Sequence, residues 1–174
     1  VVGVWAGSGR EDITDGPLHE AAFAQPSGLA TDGTSLFVAD SEGSAVRVIG
    51  LKSGRVQTLA GTHDLPNGQS LFAFGDNDGV ADEARLQHCL GVAFGDGKVY
   101  IADTYNNKIK VCTLRTQDVK TLAGDKKAGD SDDPPHFYQP GGLSLAGSTL
   151  YVADTNNFLI RAIDLKTDAV RTVA

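Results

Sequence analysis

Three aspartates recur along this sequence, and each is followed by a cationic residue at the same distance. The carboxylates are Asp40, Asp103 and Asp154, and the cations seven positions later are Arg47, Lys110 and Arg161. Carboxylates that pointed inward from successive repeats could ligate a metal ion for hydrolytic chemistry. Each Asp instead opens a polar turn, where it can accept hydrogen bonds from backbone N–H groups two or three residues on. We therefore expect three structural turn residues and predict no catalytic residue.

The recurrent cations allow two interpretations. Their aliphatic stems could cover the outward side of a strand, which is the interpretation that we favour. Alternatively, they form a row of charges along one rim that would suit a carboxylate-bearing partner. Tyr105 and Phe158 lie in otherwise polar turns nearby, and exposed aromatic side chains on loops are typical interface anchors. The predicted binding face therefore comprises Tyr105, Phe158, Arg47, Lys110 and Arg161.

The turns after the second and third Asp each contain a pair of asparagines. Asn tolerates the left-handed backbone conformation that bulkier residues resist. We therefore predict structural turn roles for Asn106, Asn107, Asn156 and Asn157, with Glu42-Gly43 taking their place in the first copy.

Other potential metal ligands occur without a recognisable spacing. The Asp-rich segments 75–83 and 129–133 could bind calcium, but around Gly79 an EF-hand loop would begin at Phe74 and end at Arg85, so that template fails. Solvated turn chemistry is the favoured interpretation, and weak calcium binding stays open. The four histidines are scattered, so we predict no metal site and no cofactor; they are His19, His63, His88 and His136.

The two cysteines give no disulfide pattern. Cys112 aligns with apolar residues of the other repeats, and we expect it to be a small, buried, hydrophobic residue. Cys89 stands where the other repeats have Pro26 and Pro140. We expect it to be partly accessible and unpaired, because the two cysteines fall on different strands.

The elements that must position these residues are short β-strands in a repeated order. Around each Asp, a Gly-apolar pair is followed by three strands in which apolar and polar residues alternate, as in Val46-Arg47-Val48. The predicted strands are 36–39, 46–51 and 56–59, then 99–102, 109–114 and 119–122, then 150–153, 160–165 and 170–173. With the Gly-apolar pair as first strand, each repeat makes four antiparallel strands. This indicates an all-β fold of β-propeller blades.

The repeated letters also carry a family resemblance. "YIADTYNNKIK" and "YVADTNNFLIR", preceded by a Gly-apolar pair, resemble NHL repeats over essentially the whole chain. The segment 72–92 resembles the propeller of thioredoxin-like NHL proteins. The resemblance implies a six-bladed ring, of which about three blades are here, and a thioredoxin-like domain N-terminal to it. It implies no redox chemistry in this chain, which has no Cys-x-x-Cys.

We divide the chain as one partial propeller. Residues 1–7 are predicted to be the outer strand of a preceding blade, 28–61, 91–124 and 142–174 the blades, and 8–27, 62–90 and 125–141 the connections. Three blades leave apolar faces uncovered, which rarely persists in monomers. We expect the chain to be part of a larger polypeptide, with a homodimer that completes the ring as the alternative.

Charge limits the function classes. The net charge is −7, without a basic run, which argues against nucleic acid and anionic membranes as partners. No apolar run is long enough to span a bilayer. We predict a non-catalytic module that binds a protein partner or a neighbouring domain, with a metal-dependent propeller hydrolase as the alternative. Localisation is left undetermined by these patterns.

Overall fold

The alternating segments form β-strands throughout the computed structural model, which describes residues 2–174. The strands are β1 (Gly16–Pro17), β2 (Pro26–Thr31), β3 (Ser35–Asp40), β4 (Ala45–Gly50), β5 (Arg55–Ala60), β6 (Gly79–Val80), β7 (Gly91–Gly95), β8 (Lys98–Asp103), β9 (Lys108–Thr113), β10 (Asp118–Ala123), β11 (Pro140–Ala146), β12 (Thr149–Asp154), β13 (Leu159–Asp164) and β14 (Val170–Thr172). Short 3-10 segments lie at Pro66–Phe72, Ala81–Glu83, Thr104–Asn106 and Thr155–Asn157. In the described part of the chain, no helix is long and apolar enough to cross a membrane.

The strands form three antiparallel sheets, which we call blades 1, 2 and 3. Their strand orders are β1-β5-β4-β3-β2, β6-β10-β9-β8-β7 and β11-β12-β13-β14. The four-stranded meander predicted for each repeat is therefore confirmed. Blades 1 and 2 carry a fifth, two-residue strand, because the connection before each blade pairs with its outermost long strand.

The cores lie between the blades. Phe37 and Val46 of blade 1 pack with Val99 and Ile101 of blade 2 in one apolar cluster. A second cluster joins blades 2 and 3. Since a middle blade is covered on both faces, its strands bury successive residues, and all of Val99–Asp103 is buried.

The inner strands β2, β7 and β11 approach one another closely, and this explains the glycine in the first two Gly-apolar pairs, at Gly28 and Gly91. The N–H of Gly28 donates to Leu90 O at 3.0 Å. A Cβ on Gly91 would lie 2.1 Å from Gly141 O, which is less than any real contact. Only glycine therefore allows neighbouring blades to meet at this distance.

The N-terminal segment, predicted to be the outer strand of a preceding blade, lies without such a blade in the described part of the chain. Residues 2–7 form no strand, and Val1 lies outside the described residues. The N–H of Gly7 instead donates to Leu18 O at 2.7 Å. The described residues contain no preceding sheet with which an outer strand could pair.

Two sheet faces are left without a neighbouring blade. On blade 1, an apolar groove of about 300 Å³ includes Leu29, Leu36 and Val38. On blade 3, Ile160 is 43% exposed. Ile160 occupies the register position of Val46, which is buried between blades 1 and 2.

Candidate binding groove

A buried ion cluster holds the turn of blade 1. Asp40 and Arg47 are both fully buried, and the Arg47 Nη1 donates to Asp40 Oδ2 at 3.1 Å. The other oxygen, Asp40 Oδ1, accepts the N–H of Ala24 at 2.7 Å. The Arg47 guanidinium also lies over the Phe23 ring, 5.0 Å from its centroid. The turn, the strand β4 and the preceding connection are thereby joined.

A second carboxylate extends the cluster to the outer strand. Arg47 Nη2 donates to Asp15 Oδ1 at 2.8 Å. Asp15 also accepts the N–H and the hydroxyl of Thr58, each at 2.9 Å. One guanidinium therefore links the connection before blade 1 to both β3 and β5.

The same cluster recurs in blade 3. Arg161 donates to Asp154 Oδ2 at 3.1 Å and to Asp132 Oδ1 at 2.5 Å. Asp132 accepts the N–H of Thr172 at 3.1 Å, and Arg161 lies over the Phe137 ring at 5.2 Å.

Blade 2 replaces arginine with lysine and adds a carboxylate. Lys110 Nζ lies 2.9 Å from Asp78, 3.3 Å from Asp76 and 3.8 Å from Asp103. Asp76 also accepts from Lys108. Although burial opposes it, the two ammonium groups hold the pKa of Asp76 below its ordinary value. Asp76 and Asp78 of the first Asp-rich loop thus already have cationic partners, as does Asp132 of the second.

The predicted roles of the three cations and three aspartates need correction. Arg47, Lys110 and Arg161 have no exposed surface, so the expectation that they cover an outward side or line a binding rim is wrong. The aspartates accept backbone N–H groups sixteen residues earlier rather than two or three residues on. Burial raises the pKa of Asp40 and Asp103 to about 6, against the pull of neighbouring donors.

The turn asparagines have three different roles. Asn107 has the predicted left-handed backbone, with φ of 54°. Asn106 and Asn157 donate to Asp103 and Asp154 through their amides, at 2.9 and 2.8 Å. Asn156 donates instead to Gln139 Oε1.

The left-handed position differs from the prediction in the other two turns. It is Phe158 in blade 3 and Ser44 in blade 1, with φ of 58° and 48°. Gly43, predicted for that role, makes room for the Ile13 side chain: a Cβ there would lie 2.0 Å from it.

The left-handed residues also connect successive blades. Ser44 Oγ accepts the N–H of His88 at 3.0 Å, and Asn107 Oδ1 accepts the N–H of Gln139 at 2.8 Å. Phe158 has no acceptor in its side chain, which is 92% exposed.

Both cysteines are free and fully buried. Burial was predicted for Cys112 and is confirmed, and it raises the pKa of that thiol to about 12. The expected partial exposure of Cys89 is wrong, because its Sγ donates to Ala45 O at 3.2 Å between blades 1 and 2. Burial raises the pKa of Cys89 as well.

Asp15, His63 and Asp64 come together in space, although the sequence did not indicate it. His63 Nδ1 lies 2.7 Å from Asp64 and 3.6 Å from Asp15. Asp15 is, however, already engaged by Arg47 and Thr58.

A groove at the junction of blades 1 and 2 brings several aromatic side chains together. Its volume is about 260 Å³, and its lining residues are Glu42, Ser44, Leu71, Phe72, Phe74, Gln87, His88 and Tyr105. Phe72 is 76% exposed, Phe74 51% and Tyr105 47%. The rings of His88 and Tyr105 are stacked, with centroids 4.3 Å apart and an angle of 12° between their planes.

Backbone hydrogen bonds between the turn of blade 2 and the preceding connection hold the groove residues in place. The N–H of Tyr105 donates to Gln87 O at 3.1 Å, and the N–H of Gly75 donates to Leu86 O at 2.9 Å. Of the predicted face, only Tyr105 lines this groove; Phe72, Phe74 and Glu42 were not predicted. The signal that could have found the first two is "FAF" within an otherwise polar connection.

Comparison with known proteins agrees with this architecture. Residues 86–112, which run from the second connection through β9, match the family profile described as NHL repeat. Residues 86–112 thus match an NHL repeat.

The similarity to NHL proteins extends over nearly the whole chain. The chain is 48% identical over 179 residues to NHL repeat-containing protein 2 of Bos taurus, and this match covers 95% of the chain and 24% of that protein. It is 45% identical to the chloroplastic protein SUPPRESSOR OF QUENCHING 1 of Arabidopsis thaliana, covering 93% of this chain and 16% of that protein. The chain thus spans a quarter or less of these relatives' lengths.

Solved propellers share the fold of this NHL segment. The WD40 repeats of RRP9 superpose with a TM-score of 0.57 at 15% identity, covering 90% of this chain and 38% of theirs. WD40 repeats are four-stranded propeller blades. The predicted partial propeller is confirmed as a fold, and this likeness supports nothing beyond the fold.

Proposed function

We propose that this NHL segment is a non-catalytic binding module whose groove between blades 1 and 2 contacts a protein partner or a neighbouring domain of the same polypeptide. The observation that carries the proposal is the exposure of Phe72, Phe74 and Tyr105 around one groove on a rigid scaffold. Aromatic side chains that remain exposed together are typical of interaction sites. Loops displayed by a rigid framework commonly carry such sites.

The buried clusters support the rigidity on which this proposal depends. Each cluster fixes a connection to two strands of its blade, so the groove walls are set before a partner arrives. Pre-organised surfaces lose less conformational entropy on binding. The same clusters give no support to the alternative of a channel hydrolase, because Asp40, Asp103 and Asp154 are committed to internal hydrogen bonds.

We further propose that other blades of a longer polypeptide cover the free faces of blades 1 and 3. This is supported by the small share of each relative that the chain spans. It is also supported by the free faces of blades 1 and 3, whose apolar residues occupy positions that are buried between blades 1 and 2. A thioredoxin-like domain in the same polypeptide belongs to this proposal, as does a homodimer as the second way to close the ring.

Site-specific photocrosslinking in the full-length protein tests the binding role. A photoreactive phenylalanine analogue at Phe72 should give one discrete adduct, mapped by mass spectrometry to a single segment of a partner or neighbouring domain. The analogue at Lys52, which is exposed in the turn between β4 and β5, is the control. Binding of the purified partner segment should weaken at least tenfold in Phe74→Ala. Adducts no more specific at Phe72 than at Lys52 would contradict the proposal.

A further inference from the structure

The groove between blades 1 and 2 combines aromatic surface with a single fixed charge. Among its described lining residues, Glu42 is the one that carries a carboxyl group. The carboxylate lies beside the stacked rings, with Oε1 3.3 Å from His88 Nδ1. Its side chain keeps 43% of its surface exposed and so remains available to a second partner.

Aromatic rings next to a carboxylate make a favourable environment for an organic cation. The faces of aromatic rings carry negative electrostatic potential and attract ammonium and guanidinium groups. A guanidinium is planar and can stack on a flat ring while it donates to a carboxylate at its edge. The parallel rings of His88 and Tyr105 offer such a flat wall.

The fold already uses this combination twice in its interior. Arg47 lies over Phe23 and donates to Asp40, and Arg161 lies over Phe137 and donates to Asp154. The groove presents the same two components, aromatic rings and a carboxylate, at the surface, and its described lining residues include no lysine or arginine.

The size of the groove limits what that cation can belong to. About 260 Å³ is below the range of most small-molecule pockets and is suited to one side chain. The net charge of −7 favours the approach of a basic partner. Leu71 and Phe72 at the rim would contact apolar neighbours of the inserted residue.

We propose that this groove receives an arginine side chain, flanked by apolar residues, from an extended segment of a partner protein. This inference rests on the proposed binding function and adds the chemistry of the partner. Glu42 is the counter-ion, and Tyr105 with Phe72 and Phe74 forms the aromatic wall.

Two synthetic peptides that differ in one group test the inference with the full-length protein. The probe is acetyl-Gly-Leu-Arg-Leu-Gly-amide, and its match carries citrulline, which keeps the shape of arginine but has no charge. Calorimetric titration should show saturable binding of the arginine peptide and about tenfold weaker binding of the citrulline peptide. Glu42→Gln should abolish the difference between them, and Phe72→Ala should weaken both.

A control variant and two contrary outcomes complete the test. Leu51→Ala removes an exposed apolar side chain outside the groove and should leave both affinities unchanged. Equal binding of the two peptides, or no saturable binding of the arginine peptide, would overturn the inference. If the discrete adduct from Phe72 persists in either case, the binding function stands and only the arginine chemistry is wrong.

Discussion

At the scale of single residues, the buried cations are the most consequential feature of this NHL segment. Arg47 has no exposed surface and contacts two carboxylates, two carbonyl groups and an aromatic ring. A buried ion pair contributes little net stability, but removal of one partner leaves an uncompensated charge in a medium of low polarity.

Arg47→Met should therefore lower the free energy of unfolding by about 3–5 kcal/mol. The loss arises because Asp40 stays buried without its cationic partner and Asp15 loses the hydrogen bond from the guanidinium. Urea unfolding followed by circular dichroism measures it. Arg55→Met, at an exposed cation of β5, should cost less than about 0.5 kcal/mol. Equal effects of the two substitutions would show that the cluster does not hold the blade.

The pKa of Asp40 predicts how its contribution depends on pH. Because burial raises that pKa from 3.8 to about 6, the folded state binds a proton more tightly than the unfolded state. The contribution of Asp40 is then fully present below pH 3.8 and is lost as the pH rises through about 6.

Wild type should consequently lose stability relative to Asp40→Asn as the pH rises from 3.8 to above 6. Urea titrations of both proteins at the two ends of this range measure the change. Glu20→Gln, at an exposed carboxylate, should show no such trend. If the free energy of unfolding of wild type instead rises relative to that of Asp40→Asn across this range, the raised pKa is contradicted.

Phe158 holds a backbone conformation that its side chain does not favour. Left-handed backbone costs a bulky residue more than it costs Asn. Phe158→Asn, which copies Asn107 of blade 2, should therefore raise the free energy of unfolding by about 0.5–1 kcal/mol. Asn107→Phe is the reciprocal control and should lower it. Destabilisation by Phe158→Asn would mean that the exposed ring is anchored in a contact.

At the scale of elements, the connections are repeated units as much as the blades are. Asp15, Asp78 and Asp132 occupy equivalent positions, and each accepts the N–H of a threonine in the outer part of its blade. This repetition lies before each blade and explains why segments that look like insertions hold the strands together. The close contact of inner strands is the second repeated feature.

Gly91→Ala should disrupt the contact between β7 and β11, since the added methyl group would collide with backbone that cannot rotate away. We expect a loss of about 2 kcal/mol or more, measured by thermal unfolding. Gly142→Ala is the matched control, because its methyl group would meet nothing closer than 3.8 Å. If both variants unfold alike, the inner strands are less closely packed than described.

At the scale of the whole molecule, the free faces of blades 1 and 3 correspond to the two sides of the interface between blades 1 and 2. Leu29 of blade 1 is 61% exposed where the corresponding residue of blade 2, Val92, is buried. Ile160 of blade 3 repeats the position of Val46 on the face that blade 1 presents to blade 2. A head-to-tail contact between copies would reproduce the interior interfaces.

The isolated 174-residue chain should therefore self-associate, with a mass above 18.2 kDa that rises with concentration in light scattering. Leu29→Arg should shift the distribution toward single chains, because it places a charge in the contact. Leu51→Arg, at an exposed leucine in a turn, should not. A single chain at every concentration would contradict the complementarity of the faces.

The sequence by itself determined the repeat, its strands and the family resemblance, because alternation and period are local properties of the chain. It predicted turn roles for the aspartates at 40, 103 and 154, whose carboxylates instead accept N–H groups sixteen residues earlier. It also indicated Tyr105 as a surface aromatic, and that residue lines the groove.

Only the tertiary structure decided what those residues contact. Arg47 lies in β4 and Arg55 in β5, yet the first is buried and the second exposed. The difference arises from a connection some thirty residues earlier, whose Asp15 and Phe23 close over Arg47. The groove likewise joins Glu42, Phe72 and Tyr105 across two blades. Contacts between residues this far apart depend on how the sheets pack, which no local pattern encodes.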